Sequence, residues 1–265
     1  MARNKPKKKR TVTPSSSGRR GRSKAGNRRI SLEKAEPIHI PLPILKLGIG
    51  AFLLPVAWVF TLAILNVFND GNTGSIWSSP EIVFFFSGFG LWSAYFLIFK
   101  QPIKLYVFGH ELTHAIFVLL SGGQVGEFKV EEDSGYILSN KTNVWISLSP
   151  YFVPLHTLFS LSLLALINWA IPIPWIDRIL FFSTGITWGF HITFTLAMIR
   201  RGQSDLEENG VFFSIVLIYL LNLLQISFLL VVASSDVSIR EYAEACLFSA
   251  GEFSRLLLRV INIEP

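Results

Sequence analysis

The stretch Ile103-Lys104-Leu105-Tyr106-Val107-Phe108-Gly109-His110-Glu111-Leu112-Thr113-His114-Ala115-Ile116-Phe117-Val118-Leu119-Leu120-Ser121 decides the reading of this chain. It is mostly apolar and about 20 residues long, the length an α-helix needs to cross a bilayer. It nevertheless contains His110, Glu111 and His114. A charged residue at the bilayer centre costs about 2.5–3.5 kcal/mol on insertion scales, so a span that keeps such groups has a use for them. On a helix His110 and His114 share one face, one turn apart. Two imidazoles so placed can bind one zinc ion. Glu111, about 100° round the helix, can then take a proton from a zinc-bound water to make a nucleophile.

Outward from this segment the chain keeps the same character. Hydrophobic residues make up 51% of the 265 and charged residues only 16%, well below the roughly 25% usual in soluble domains. Six apolar segments are expected, at about Pro43–Phe68, Ile82–Phe99, Ile103–Ser121, Val144–Ile171, Trp175–Ile199 and Val211–Ala233. Turn residues separate them: Asn69-Asp70-Gly71-Asn72, Lys100-Gln101-Pro102, Gly122-Gly123, and Pro172 with Pro174. The fourth segment carries Pro150 and Pro154 near its start. Between the third and fourth, Glu127-Phe128-Lys129-Val130-Glu131 alternates in polarity. Asp133-Ser134-Gly135 signals a turn and Tyr136-Ile137-Leu138 follows, a pattern that predicts a short β-hairpin. The fold class expected is therefore an all-α polytopic membrane protein of about six transmembrane helices with a small β-hairpin near the site.

The two ends differ from this core. Of 24 Lys and Arg, 13 precede residue 43, against two acidic residues there, Glu33 and Glu36. Residues 1–42 read as a basic tail unable to bury enough surface to fold alone. The first reading is a solvated cytoplasmic tail that helps set orientation; of the sharper readings, contact with anionic lipid ranks above nucleic acid, because aromatics for base stacking are absent. Residues 43–234 form the six-span membrane domain, with a metalloprotease core at 103–222. Residues 235–265 alternate Leu247, Phe253, Leu256 and Leu257 with Arg240, Glu241, Glu252, Arg255 and Arg259, as an amphipathic surface helix does. The single cysteine, Cys246, excludes an intrachain disulfide and a cysteine zinc cluster.

Catalytic zinc takes three protein ligands and keeps one open position, so a third ligand must come from elsewhere. The candidates are His39, His156, His191 and Asp205. If every segment crosses once, Asp205 returns to the face that receives His114 and the hairpin. His191, about two-thirds along the fifth segment, is the second choice.

Phe108-Gly109-His110-Glu111-Leu112-Thr113-His114-Ala115, then Gly122-Gly123, the hairpin, and Ser149-Pro150-Tyr151 opening the next span, resemble the site-2 protease class of intramembrane zinc metallopeptidases, in its compact branch without a PDZ domain. The resemblance covers roughly Gly109 to Asn222. It implies a zinc site within the membrane, an aspartate ligand from a later core helix, and β-structure beside the active site. The family's aspartate sits in Leu-Asp-Gly or Asn-Pro-Asp-Gly, and this chain has neither. Gln203-Ser204-Asp205 is its nearest match.

The function expected is an intramembrane zinc metalloendopeptidase acting on peptide bonds in or near transmembrane segments of a membrane protein substrate. Glu111 would be its general base and His110, His114 and Asp205 its zinc ligands, while an edge of the segment Glu127–Leu138 would hold the substrate by strand addition. The competing readings are a non-catalytic membrane scaffold, a metal-binding membrane protein, or a tethered polybasic binder. An ion carrier is disfavoured, because spans one, two and six hold no Asp, Glu or His in their interiors. The expected location is a bacterial inner membrane with a cytoplasmic N-terminus. One conflict follows from that orientation. Six alternating crossings would put Asp205, Arg200 and Arg201 on the far side from the basic tail, whereas the family opens toward the cytoplasm; either one segment is re-entrant or the orientation differs.

Overall fold

The computed structural model describes residues 42–69, 77, 79–233 and 237–261. The basic tail and His39 lie outside the described residues, as does the Asp70–Asn72 turn. The chain is an all-α polytopic membrane protein with one small antiparallel sheet. Its elements are α1 (Leu42–Asn69), α2 (Pro80–Ile98), α3 (Ile103–Leu120), β1 (Val125–Val130), β2 (Gly135–Ser139), α4 (Val144–Phe152), α5 (Leu155–Ala170), α6 (Ile176–Arg201), α7 (Ser204–Asn209), α8 (Val211–Ala233) and α9 (Ile239–Val260). Five helices, α1, α2, α3, α6 and α8, are each long and apolar enough to cross a bilayer. The fourth apolar segment is a sixth span only as a bent pair, α4 and α5 meeting at 64°.

Local chemistry sets these boundaries. Ser79 caps α2 by accepting from the Ile82 N–H, with Pro80 in the first turn where its missing N–H costs nothing. Asn143 caps α4 through Ile146 in the same way. Ser238 and Glu241 form a capping box at α9. Pro154 has no N–H to give and so separates α4 from α5.

Lipid supplies no hydrophobic force to hold spans together, so close backbone approach must. α2 and α6 meet through glycine. A Cβ on Gly88 would strike the Phe182 carbonyl, and one on Gly185 the Phe85 carbonyl. Gly189 lies under the Trp92 ring, and the Trp92 indole N–H donates to Thr193 Oγ1 at 2.9 Å. Gly185 and Gly189 are a G-x-x-x-G pair. Along this seam Phe85 meets Gly185, Trp92 meets Gly189 and Phe96 meets Phe194, so α2 and α6 run parallel.

α1 and α8 also run parallel. Lys46 bonds Asn209 just before α8, Gly50 abuts Phe212, Ala57 packs with Leu220, and Val67 with Leu230. Six alternating crossings would have made both pairs antiparallel. Between the end of α2 and the start of α6 the chain therefore makes one net crossing, shared among α3, the hairpin and the α4–α5 pair. The start of α1 lies at the same end of the bundle as α7 and Asp205, which removes the separation that simple counting of spans required. Irregular backbone at membrane depth is tolerated where it lines a cavity, and here it borders the candidate site. α9 packs its Tyr242, Cys246 and Ser249 face on the opposite end of α1, where Asn66 Nδ2 donates to Ser249 Oγ at 3.1 Å.

Candidate metal centre

α3 presents His110 and His114 on one face, and its surroundings fix both rings. His114 Nδ1 lies 2.7 Å from the Ile146 carbonyl, which can only accept, so Nδ1 carries the proton and Nε2 keeps its lone pair. The Tyr106 hydroxyl, one turn before His110, lies 3.0 Å from His110 Nδ1; by accepting from Nδ1–H it leaves that Nε2 lone pair free as well, whereas by donating it puts the proton on Nε2. The two Nε2 atoms face each other at 3.2 Å. Such outer partners set tautomer and ring orientation in metal sites. Gly109 is required by packing, since a Cβ there would strike the His156 ring.

Asp205 completes the group from α7. Its Oδ2 is 3.3 Å from His110 Nε2 and 3.5 Å from His114 Nε2. One donor atom from each of the three residues lies within 4.8 Å of the others, an arrangement that could hold a metal ion. Three such atoms cannot donate to one another in every pair, and two lone pairs beside a carboxylate oxygen repel unless a proton or cation lies between them. The donor chemistry, two imidazole nitrogens and one carboxylate oxygen with a side left open to the cleft, suits a transition-metal ion such as zinc. Burial alone would raise the Asp205 carboxyl, but with no cation between them His110 and His114, protonated on Nε2, outweigh burial through hydrogen bonds and charge and hold the group well below the usual carboxylate range.

α7 is short and held at both ends. Gly202 and Gly210 flank it with φ of 75° and 85°, backbone that side chains rarely adopt. Asn209 Nδ2 donates to the Asp205 carbonyl at 3.1 Å, and Lys46 Nζ of α1 donates to Asn209 Oδ1 at 2.9 Å. The Tyr151 hydroxyl of α4 donates to Asp205 Oδ2 at 3.0 Å.

Tyr151 can do this because the chain breaks just after it. At the α4–α5 break the carbonyls of Tyr151 and Phe152 lose their helical partners. α8 supplies replacements: Asn222 Nδ2 donates to the Tyr151 carbonyl at 3.0 Å and Gln225 Nε2 to the Phe152 carbonyl at 2.6 Å. A buried carbonyl without a donor costs about 1–3 kcal/mol, so these two amides stabilise the bend.

Glu111 is buried, 8% exposed, and borders the same cleft of about 300 Å³ as His110, His114 and Asp205. The cleft's other wall is β2, through Gly135, Tyr136 and Ile137. β2 pairs with β1 in antiparallel register, Phe128 opposite Ile137 and Val130 opposite Gly135. The sequence marks Gly135 as a turn residue, but the turn itself is closed by Glu131 N–H donating to the Ser134 carbonyl. Gly135 begins β2 and serves as a contact point, because a Cβ there would lie 2.8 Å from Glu111 Cγ.

The alternative ligands are elsewhere. His156 stacks near Phe190, ring centroids 4.5 Å apart. His191 is buried with its Nε2 unpaired among the described residues, and neither belongs to the metal-competent group. The structure thus brings Asp205, and not His191, to His110 and His114. Sequence reasoning missed Tyr106, Tyr151, Asn209 and Gln225. Only Tyr106 had a legible signal, its place one helical turn before His110. The chain matches no protein-family model, no curated protein and no solved structure.

Proposed function

We propose that this chain is an intramembrane zinc endopeptidase similar to the site-2 protease class, cleaving membrane protein substrates. One observation carries the reading: His110, His114 and Asp205 converge beside Glu111 on a cleft whose far wall is a strand, within a bundle of apolar spans. Zinc held by the three residues would supply Lewis-acid chemistry. Glu111 would accept a proton from the attacking water on its carboxylate and return it to the departing amine. The Ile146 carbonyl holds His114 in the tautomer that exposes Nε2, the Tyr106 hydroxyl can accept from His110 Nδ1–H to the same effect, and Tyr151 holds the Asp205 carboxylate. β2 borders the cleft with β1 on its other side, so its free edge suits an extended, unwound substrate segment.

Orientation follows from charge. Lys46, Lys100, Lys104, Arg200 and Arg201 belong to the end of the bundle that carries α7, and the sequence before α1 is basic. By the positive-inside rule that end is cytoplasmic, so the cleft opens to the cytoplasm of a bacterial inner membrane.

The test pairs metal content with proteolysis. Purified wild type should carry near-stoichiometric zinc, lost in His110→Ala. Glu111→Gln should keep zinc, and membrane proteins shortened in cells expressing wild type should stay full length with this variant. Substrate shortening that survives Glu111→Gln would sink the mechanism. Negligible zinc in folded wild type would favour the non-catalytic scaffold.

A further inference from the structure

The starts of α1 and α8 stand side by side at the end of the bundle that carries α7, where Gly50 abuts Phe212. A groove of about 340 Å³ lies beside that contact. Toward the bundle interior its walls are apolar, built from Leu47 of α1 with Phe212 and Phe213 of α8. Toward the bundle end they are charged, with Lys46 of α1 and with Glu207 and Glu208 of α7. Leu47, Val211 and Phe212 belong to membrane spans and remain exposed, so the groove opens toward lipid. Its level follows from length. α1 has 28 residues, about 42 Å of helix, against a hydrocarbon core about 30 Å thick, so its first turn, with Lys46, stands among the lipid headgroups.

The charges in the groove are spare. Lys46 Nζ gives one N–H to Asn209 Oδ1 at 2.9 Å and keeps two. Glu207 and Glu208 are exposed, and among the described residues no cation pairs with either. One spare cation beside two spare carboxylates fits a ligand that carries both signs. A purely anionic headgroup would meet Lys46 but set its phosphate against the two glutamates. Choline has no N–H to give them. A phosphate joined to a primary ammonium suits both sides, through charge-assisted hydrogen bonds from Lys46 to phosphate and from ammonium to carboxylate. Leu47, Phe212 and Phe213 then receive the glycerol end and the first methylenes of the acyl chains, which a soluble phosphoamine lacks.

We propose that this groove binds the headgroup of one phosphatidylethanolamine, its phosphate on Lys46 and its ammonium on Glu207 and Glu208. The proposal stands whether or not the chain hydrolyses peptides.

Native mass spectrometry of the full chain tests it, with phosphatidylethanolamine, phosphatidylglycerol and phosphatidylcholine of identical acyl chains offered in equal amounts. One phosphatidylethanolamine should survive delipidation, ahead of the other two by about fivefold, the worth of one or two partly exposed ion pairs. Glu207→Gln together with Glu208→Gln changes only exposed side chains and should pass the preference to phosphatidylglycerol, because Lys46 is then the charge that remains in the groove. Lys46→Met, which removes the partner of the phosphate, should lower retention of the lipid in the wild-type background. Glu208 also borders the metal cleft and Glu207 does not, so Glu207→Gln alone should already narrow the preference. A change confined to Glu208→Gln would put the lipid in the cleft and overturn the proposal. So would retention of all three lipids alike, retention of none, indifference to Lys46→Met, or a preference for phosphatidylethanolamine that survives the paired glutamine variant.

Discussion

Replacing Tyr151 with phenylalanine removes one hydroxyl and little else. The ring keeps its place, fully buried and edge-on to His110 with centroids 5.3 Å apart. What disappears is the donor 3.0 Å from Asp205 Oδ2. A hydrogen bond to a charged group is worth about 1.5–3 kcal/mol, or roughly 10–100-fold in metal affinity, the range typical of such outer partners. The Asp205 side chain is 21% exposed, so water can replace part of the loss, and Tyr151→Phe should fall near the tenfold end. Tyr106→Phe strips the partner from His110, whose side chain is only 9% exposed, and should fall nearer a hundredfold. Zinc competition with a chromophoric chelator measures both, with the melting of the metal-free proteins as a control for packing. Were Tyr151→Phe to weaken zinc more than Tyr106→Phe, or were both to bind like wild type, the assignment of these hydroxyls to the metal centre would be refuted.

The bend predicts that Asn222→Leu, which orphans the Tyr151 carbonyl, costs about 1–3 kcal/mol of stability in detergent unfolding and weakens zinc as well. Gly185→Ala should destabilise the α2–α6 seam by about 1–3 kcal/mol or more, while Gly90→Ala, with open space at its Cβ, should be near neutral in the same melts. Gly109→Ala should be as harmful as Gly185→Ala, and His156→Ala in the same chain should recover part of the loss in a thermal-shift assay. Stripping the metal should raise amide exchange in 202–210 more than in α3, because α7 is a short helix between glycines whose Asp205 contacts add to the anchors that remain, Leu206 in the core and the Asn209–Lys46 bond.

Much of the architecture was legible because membrane spans announce themselves by length and hydropathy, and because His110 and His114 one turn apart have few other uses inside one. Asp205 was chosen from the sequence by counting spans and by resemblance, not from its own neighbours. Nothing in Gln203-Ser204-Asp205 separates a ligand from a solvated loop acid, since Glu207 and Glu208 stand beside it. What lifts it out is the pair of turns at Gly202 and Gly210, visible only in three dimensions. The direction of the helices was illegible for a related reason. Counting crossings assumes that each apolar segment traverses, and Pro154 signals a break without saying where the freed carbonyls go. Asn222 and Gln225 answer that from 71 and 73 residues away, a separation no local pattern spans. The glycines of α2 and α6 could have been read as a packing stripe, but not as belonging to helices of like direction.

That direction bears on how the protein is made. With α1 parallel to α8, an odd number of net crossings separates the start of α1 from the end of α8, and α9 follows on the far face. With the start of α1 cytoplasmic, as proposed, the insertion machinery must export α9, with Arg240, Arg255 and Arg259, through the bilayer once the spans before it are in place. A reporter joined behind residue 265 would ride out with it: an exported phosphatase should be active there, and a fluorophore that matures only in the cytoplasm should stay dark.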